Sequence, residues 1–230
     1  TRCMAAPTYR NKWPVYAKQW DAAQIKAGRE AEIADFARRA LAGKARYQRV
    51  EAKTGVPWWM VAIIAERESG QDWTKSLAQG DPIDRVSTHV PAGRGPFPTW
   101  EAAAIDALVY CAPHASRNKD WSIGGTLALL EQYNGTGYAR MGVPSAYIWS
   151  GTNQYVSGKY VRDGVYDPSV VDKQLGCAGL IMTMMQLDPS ISFDKTTDAV
   201  GPIRDGEWLQ SSLNKLGANV TLLDPHRALV

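Results

Sequence analysis

The apolar positions of this chain recur mostly at helical spacing. From Trp20 to Val50 they fall at three- and four-residue steps through Ile33, Phe36, Ala40, Leu41 and Tyr47, which predicts one or two helices over 19–53, with Gly43 as a break. A second, nearly unbroken apolar run lies between Pro57 and Gly70. Proline suits a first helical turn, where a missing N–H costs little, and glycine suits the stop. Thr99 is placed to cap a helix running through Trp100, Ala103, Ala104, Ala107 and Leu108 to Cys111. Further helices are expected from about Ser122 to Tyr133 and, rich in Met, from Val170 to Leu187. Residues 1–18 look irregular, and 71–98 and 134–168 read as long loops rich in Gly and Pro. Strand signals are sparse. The expected fold class is mainly α: a helical domain whose two long loops form a cleft, since loops of this length in a compact domain are more often functional than idle.

Within the apolar run, Glu68 lies one turn after Ile64 and two turns after Val61, so it leaves the helix on an apolar face. Poor solvation and the negative end of the helix dipole both disfavour its carboxylate form. Both raise its pKa, as a general acid working near neutral pH requires. Glu66 lies about 200° around the helix from it and is expected to be solvated or paired with a basic neighbour.

Val61-Ala62-Ile63-Ile64 followed by Arg67-Glu68-Ser69, and preceded by Gly55-Val56-Pro57, resembles the catalytic helix of goose-type lysozymes and lytic transglycosylases. In that family the Glu of the Glu-Ser pair is the general acid, so the resemblance places the acid at Glu68 and makes Ser69 a candidate substrate contact. Gly80-Asp81 is similar to a Gly-Asp pair on the family's cleft wall. Inverting hydrolysis needs a second carboxylate about 6.5–9.5 Å from the acid, for which Asp81 is the first candidate and Asp84 the second. An Asp beside Pro82 is equally a turn-tightening residue. Tyr133-Asn134-Gly135 resembles a later family motif whose Tyr lies beside the catalytic Glu. This implies that Tyr133 hydrogen-bonds Glu68, with Asn134 in a tight turn against the sugar.

The chain departs from the pattern at Pro91–Trp100, where the family carries a Gly-Leu-Met-Gln type segment. That loop, with Ala104-Ile105-Asp106-Ala107-Leu108 after it, resembles lysozyme-like proteins of phages and bacteria, and it leaves open which bond is cut. Arg94 either holds a substrate carboxylate or acetamido oxygen or pairs with Asp81 or Asp84. Tyr147, Trp149 and Tyr155 alternate in a polar loop beside Asn153 and Gln154. Such rings stack on sugar faces or plug the loop onto the core; Tyr147 and Trp149 are the groove candidates.

Composition narrows the picture modestly. A net charge of +3 is too small to argue for nucleic acid. Nine Trp and ten Tyr against three Phe favour amphipathic rings, which suit sugar clefts. Cys3, Cys111 and Cys177 are too few and too scattered for a disulfide framework. His89, His114 and His226 are scattered as well, so no metal and no cofactor is expected. No apolar run reaches the about 20 residues of a membrane span. Thr1–Met4 has no signal-peptide core, which leaves a removed signal or another export route. Residues 1–190 are expected to form the catalytic domain, including an N-terminal helical extension. In 191–230, Trp208-Leu209-Gln210 and Leu213–Gly217 resemble the first helix of a peptidoglycan-binding repeat; an amphipathic helix packed on the main domain is the other reading.

The resemblance thus implies a monomeric N-acetylmuramidase acting on peptidoglycan glycan strands in the periplasm or cell wall. The competing readings are a lytic transglycosylase, a chitin or chitosan hydrolase, and a non-catalytic wall-binding module.

Overall fold

A computed structural model describes residues 13–193 other than 79 and 163. Cys3, the stretch before residue 13 and the Trp208–Gly217 segment lie outside the described residues.

The described chain is mainly helical. In order it forms α1 (Trp13–Ala22), α2 (Glu30–Thr54), α3 (Trp58–Ser69), α4 (Trp100–Tyr110), a 3-10 turn (Ala115–Arg117), α5 (Ile123–Tyr133), α6 (Gly137–Met141), α7 (Ala146–Trp149), β1 (Lys159–Arg162), β2 (Val165–Asp167) and α8 (Cys177–Leu187). α3 is the centre of the core: every residue from Trp58 to Ala65 is buried. A helix that is apolar all round must be enclosed by neighbours, and α2 and α8 both pack on it. α2 is amphipathic instead, burying Phe36, Ala40, Gly43, Tyr47, Val50 and Thr54 at alternating four- and three-residue steps.

Gly43 does not break α2, contrary to expectation. It sits on the buried stripe, where an added Cβ would lie 2.7 Å from Tyr47 and 2.9 Å from Trp73. The glycine is there for close approach: Trp73 wedges beside it and packs edge-on against Trp100 of α4, 4.7 Å between ring centres. Arg46 stacks on Trp73 and forks onto Glu101 at 3.0 and 2.9 Å, which docks α4 on α2.

Three other expectations change. The chain is helical from Trp13, with Pro14 in the first turn of α1, where proline is tolerated. Residues 134–168 are not simply loop: they hold α6, α7 and an antiparallel β1–β2 pair registered Lys159 to Asp167 and Tyr160 to Tyr166. The Met-rich helix starts at Cys177 rather than Val170, and 170–176 runs irregularly, with Gly176 N–H donating to Ser150. The expected Thr99 cap is present, and Ser122 supplies a second. Thr99 Oγ1 accepts from Ala102 N–H and Ser122 Oγ from Gly125 N–H, each at 3.1 Å.

Because Ser122 is 1% exposed, water cannot replace its cap. Ser122→Ala should destabilise the fold by about 1–2 kcal/mol, read as a lower urea midpoint at unchanged m-value.

Candidate active site

The last turn of α3 is where its buried interior meets polar partners. Glu66 pairs with Arg39 of α2 at 2.9 Å and accepts from Gln71 Nε2 at 2.8 Å. Arg39 also donates to the carbonyl of Gly70 at 2.8 Å, and Tyr47 OH donates to Gln71 Oε1 at 2.7 Å. Gln71 is held at φ 58°, a left-handed conformation that a side chain tolerates only when its surroundings fix it. Glu66 is therefore a structural tie, as its position on the helix predicts, and it fixes the direction in which the next residues leave.

Arg67 and Glu68 follow and meet the same tyrosine. Tyr147 of α7 donates its hydroxyl to Glu68 Oε1 at 2.7 Å. The Arg67 guanidinium lies over the Tyr147 ring, 4.6 Å from its centre, and donates to the Leu175 carbonyl and to Asp172 at 3.1 and 3.3 Å. Lys159 of β1 reaches the other oxygen of Asp172 at 3.2 Å. Burial pushes the Glu68 carboxyl up to about 7, with the Tyr147 hydrogen bond and the Arg67 charge pulling it back less strongly. At neutral pH Glu68 thus exchanges a proton readily.

A cavity of about 560 Å³ is lined in part by Arg67 and Tyr147. Asn134, Tyr138, Arg140, Lys159, Tyr160 and Asp172 form the rest of its principal wall. Ligand pockets fall in this size range. Tyr147 is the shared element, with its hydroxyl on the acid and its side chain in the cavity wall.

The other sequence candidates fare unevenly. Asn134 lines the cavity next to Gly135, at the end of α5, as expected. Tyr133 does not bond Glu68: its hydroxyl donates to the Leu77 carbonyl at 3.1 Å. It pins the 71–98 loop over the end of α3, and Tyr147 takes the role the resemblance gave it. The loop itself is ordered by pairing, with Ser76 N–H donating to Asp81 O and Ile83 N–H to Thr74 O. Gly80, at φ 70°, brings its backbone within reach of the Glu68 carbonyl, 3.1 Å from where a Cβ would sit, so a side chain here would be crowded as well as strained.

Asp81 is buried and already engaged. Its Oδ2 accepts the N–H groups of Thr88 and His89 at 2.8 and 3.0 Å, and its Oδ1 lies 2.5 Å from His89 Nδ1. The His89 backbone N–H and imidazole hold its carboxyl below the usual range. This is the turn-tightening role. Asp84 is exposed and faces Arg85 at 3.1 Å. Arg94 pairs with neither of them; it forks onto Asp106 of α4, 2.9 Å from Nε, and so ties the departing loop to the core. Ser69 donates its hydroxyl back to Ala65 O at 2.9 Å. Trp149 is fully buried, not a groove wall. Tyr155 is buried too, donating to Gly158 O at 3.1 Å, and Asn153 donates to the carbonyl of Ala22 at 2.9 Å.

The sequence reading missed Asp172, Lys159 and Arg140. Asp172 lay in a segment expected to be near a helix start, and the other two in a supposed loop; the clustering of charge along 159–173 hinted at Lys159 and Asp172, and nothing local marked Arg140. Among the described residues no group of three or more His, Cys, Asp or Glu is placed to hold a metal ion, and no helix is long and apolar enough to cross a membrane. Compared with protein-family models, curated proteins and solved structures, the chain matches none.

Two outcomes follow from the electrostatics of Glu68. Its folded-state pKa of about 7 lies above the ordinary 4.5, so the folded chain binds this proton more tightly than the unfolded one. Its stabilising contribution is present below about pH 4.5 and lost as pH rises through about 7. Glu68→Gln should therefore be more stable than wild type at pH 8 by about 2–3 kcal/mol, and the gap should close toward pH 4–5 in urea titrations. Tyr147→Phe removes a donor to the carboxylate, so the Glu68 pKa should rise further in a carboxyl-carbon NMR titration.

Proposed function

We propose that this protein is a peptidoglycan-cleaving enzyme with a lysozyme-like helical fold, acting in the periplasm or cell wall, and that Glu68 is its general acid. The observation that carries the reading is a single carboxyl poised near neutrality by burial and held by Tyr147, a residue that also lines a sugar-sized cavity. The motif Arg67-Glu68-Ser69 adds its resemblance to the goose-type lysozyme and lytic transglycosylase helix.

In this reading the bond is the β-1,4 link from N-acetylmuramic acid to N-acetylglucosamine. Glu68 gives its proton to the glycosidic oxygen as the C1–O bond breaks, and the departing sugar leaves as an alcohol. The oxocarbenium-like centre that remains is captured by an oxygen nucleophile. Glu68, now a carboxylate, accepts the nucleophile's proton and is restored. Tyr147 and Arg67 lower the cost of the ionised state during that interval, while burial raises the share of the resting group that carries its proton.

One observation favours a particular nucleophile. A hydrolase of the inverting kind needs a second carboxylate free to activate water. Asp81 has both oxygens engaged and Asp84 is exposed beside Arg85. This favours the lytic transglycosylase chemistry, in which the muramic 6-hydroxyl attacks in place of water and Glu68 alone moves the proton.

Digestion of purified peptidoglycan by wild type, Glu68→Gln, Asp81→Asn and Asp84→Asn, with mass analysis of the released muropeptides, tests this. The expected outcome is anhydro-muramic ends that disappear with Glu68→Gln, by a factor of about 10² or more, and survive both Asp changes. Reducing ends lost on Asp81→Asn would restore the hydrolase. Release from chitin or chitosan in place of peptidoglycan would move the substrate. Wall binding without any Glu68-dependent product would leave only a binding module.

A further inference from the structure

We infer that the cavity beside Glu68 is a carboxylate subsite, in which Arg140 and Lys159 hold an acidic substituent of the glycan; this rests on the glycan-cleaving reading. The argument starts from charge. Among the described residues, Arg67, Arg140 and Lys159 face the cavity against one carboxylate, Asp172. Arg67 and Lys159 share that carboxylate. Arg67 is committed to the fold, since its side chain is 7% exposed and it also bonds the Leu175 carbonyl. Lys159 is a third exposed and can turn toward a ligand. Arg140 stands exposed at the rim.

Three cations against one carboxylate leave the cavity lining with surplus positive charge, which concentrates the field on an entering anion. Half-buried Tyr160 packs edge-on against buried Tyr138, 5.1 Å between ring centres, and supplies apolar surface that a sugar face covers. A guanidinium at the rim matches the two oxygens of a carboxylate. A neutral N-acetylglucosamine polymer offers these cations nothing.

In peptidoglycan the carboxylate has two sources: the lactyl group of peptide-free muramic acid, or the acidic residues of the stem peptide. Both arms belong in the test. The Glu68→Gln protein, which cannot consume its ligand, is titrated calorimetrically at low salt with three probes. These are a peptide-free GlcNAc–MurNAc tetrasaccharide, its stem-peptide form, and chitotetraose. Each is measured without and with Arg140→Gln, Arg140→Lys or Arg140→Glu. Arg140 is exposed, so none of these changes threatens the fold.

The expected result is that Arg140→Gln weakens the acidic ligand about two- to fivefold. Arg140→Glu weakens it more, Arg140→Lys nearly restores it, and chitotetraose is unmoved. Dependence seen with the peptide-free strand identifies the lactyl carboxylate; dependence confined to the peptide-bearing strand identifies the stem. Equal losses for chitotetraose, no Arg140 dependence, or no binding of either acidic probe overturns the subsite. Arg140-dependent binding by a protein that shows no Glu68-dependent cleavage keeps the subsite and removes the glycosidase. Cleavage with Arg140-independent binding does the reverse.

Discussion

Trp58 to Ala65 of α3 are buried on every side, so the last turn of that helix is where its chain first meets polar partners. Those partners must then satisfy, close together, a helix end, two carboxyls and a guanidinium. The structure divides the task by direction. Glu66 turns toward α2, where Arg39, Gln71 and Tyr47 close a network around it. Arg67 and Glu68 turn toward α7 and the segment before α8, where Tyr147 and Asp172 receive them. The rigid network on one side holds the responsive group on the other. It does so by fixing the backbone of the final turn rather than by touching Glu68.

The acid is tuned by what surrounds it. Desolvation raises its pKa, and the two groups nearest to it both oppose that rise. A carboxyl buried with no donor would hold its proton too tightly to give it up near neutral pH, and one fully paired with Arg67 would be ionised and have no proton to give. Arg67 avoids that second outcome because Asp172 and Leu175 hold its nitrogens and the Tyr147 ring takes its face. Asp172 thus acts on Glu68 at one remove, by keeping a cation occupied. The same logic separates Asp81 from Glu68. Backbone N–H groups donate to Asp81, which stabilises its ionised form and commits it to shaping the loop.

What the sequence made legible was local. The apolar run that defines α3, its glycine stop, the opposed fates of Glu66 and Glu68 and the Thr99 cap follow from period and capping chemistry. What it hid was tertiary. Gly43 reads as a break because the pattern cannot show Trp73 pressed against it. Tyr133 and Tyr147 are both aromatic residues near turns; only the packing of α5 and α7 decides that one bonds Leu77 and the other Glu68. Trp149 stands two residues from Tyr147 and beside a polar stretch, as a groove ring would, yet α7 is a single turn with all four residues buried. Arg94 and Asp106 are twelve residues apart and meet only because the loop folds back over α4. Asp172 and Lys159 became a pair through the irregular approach to α8, for which no periodicity exists.

The placement of Tyr147 between Arg67 and Glu68 couples two events that would otherwise be separate. A negative charge that enters the cavity meets Arg67 and Tyr147, the two groups that also act on Glu68. It draws the guanidinium's field toward itself and raises the work of ionising Glu68. By reciprocity, a protonated Glu68 favours occupancy by an anion to the same degree that the anion favours protonation. Anion occupancy and protonation of Glu68 are therefore a thermodynamic pair, so that on the proposed reading the bound ligand itself loads the general acid.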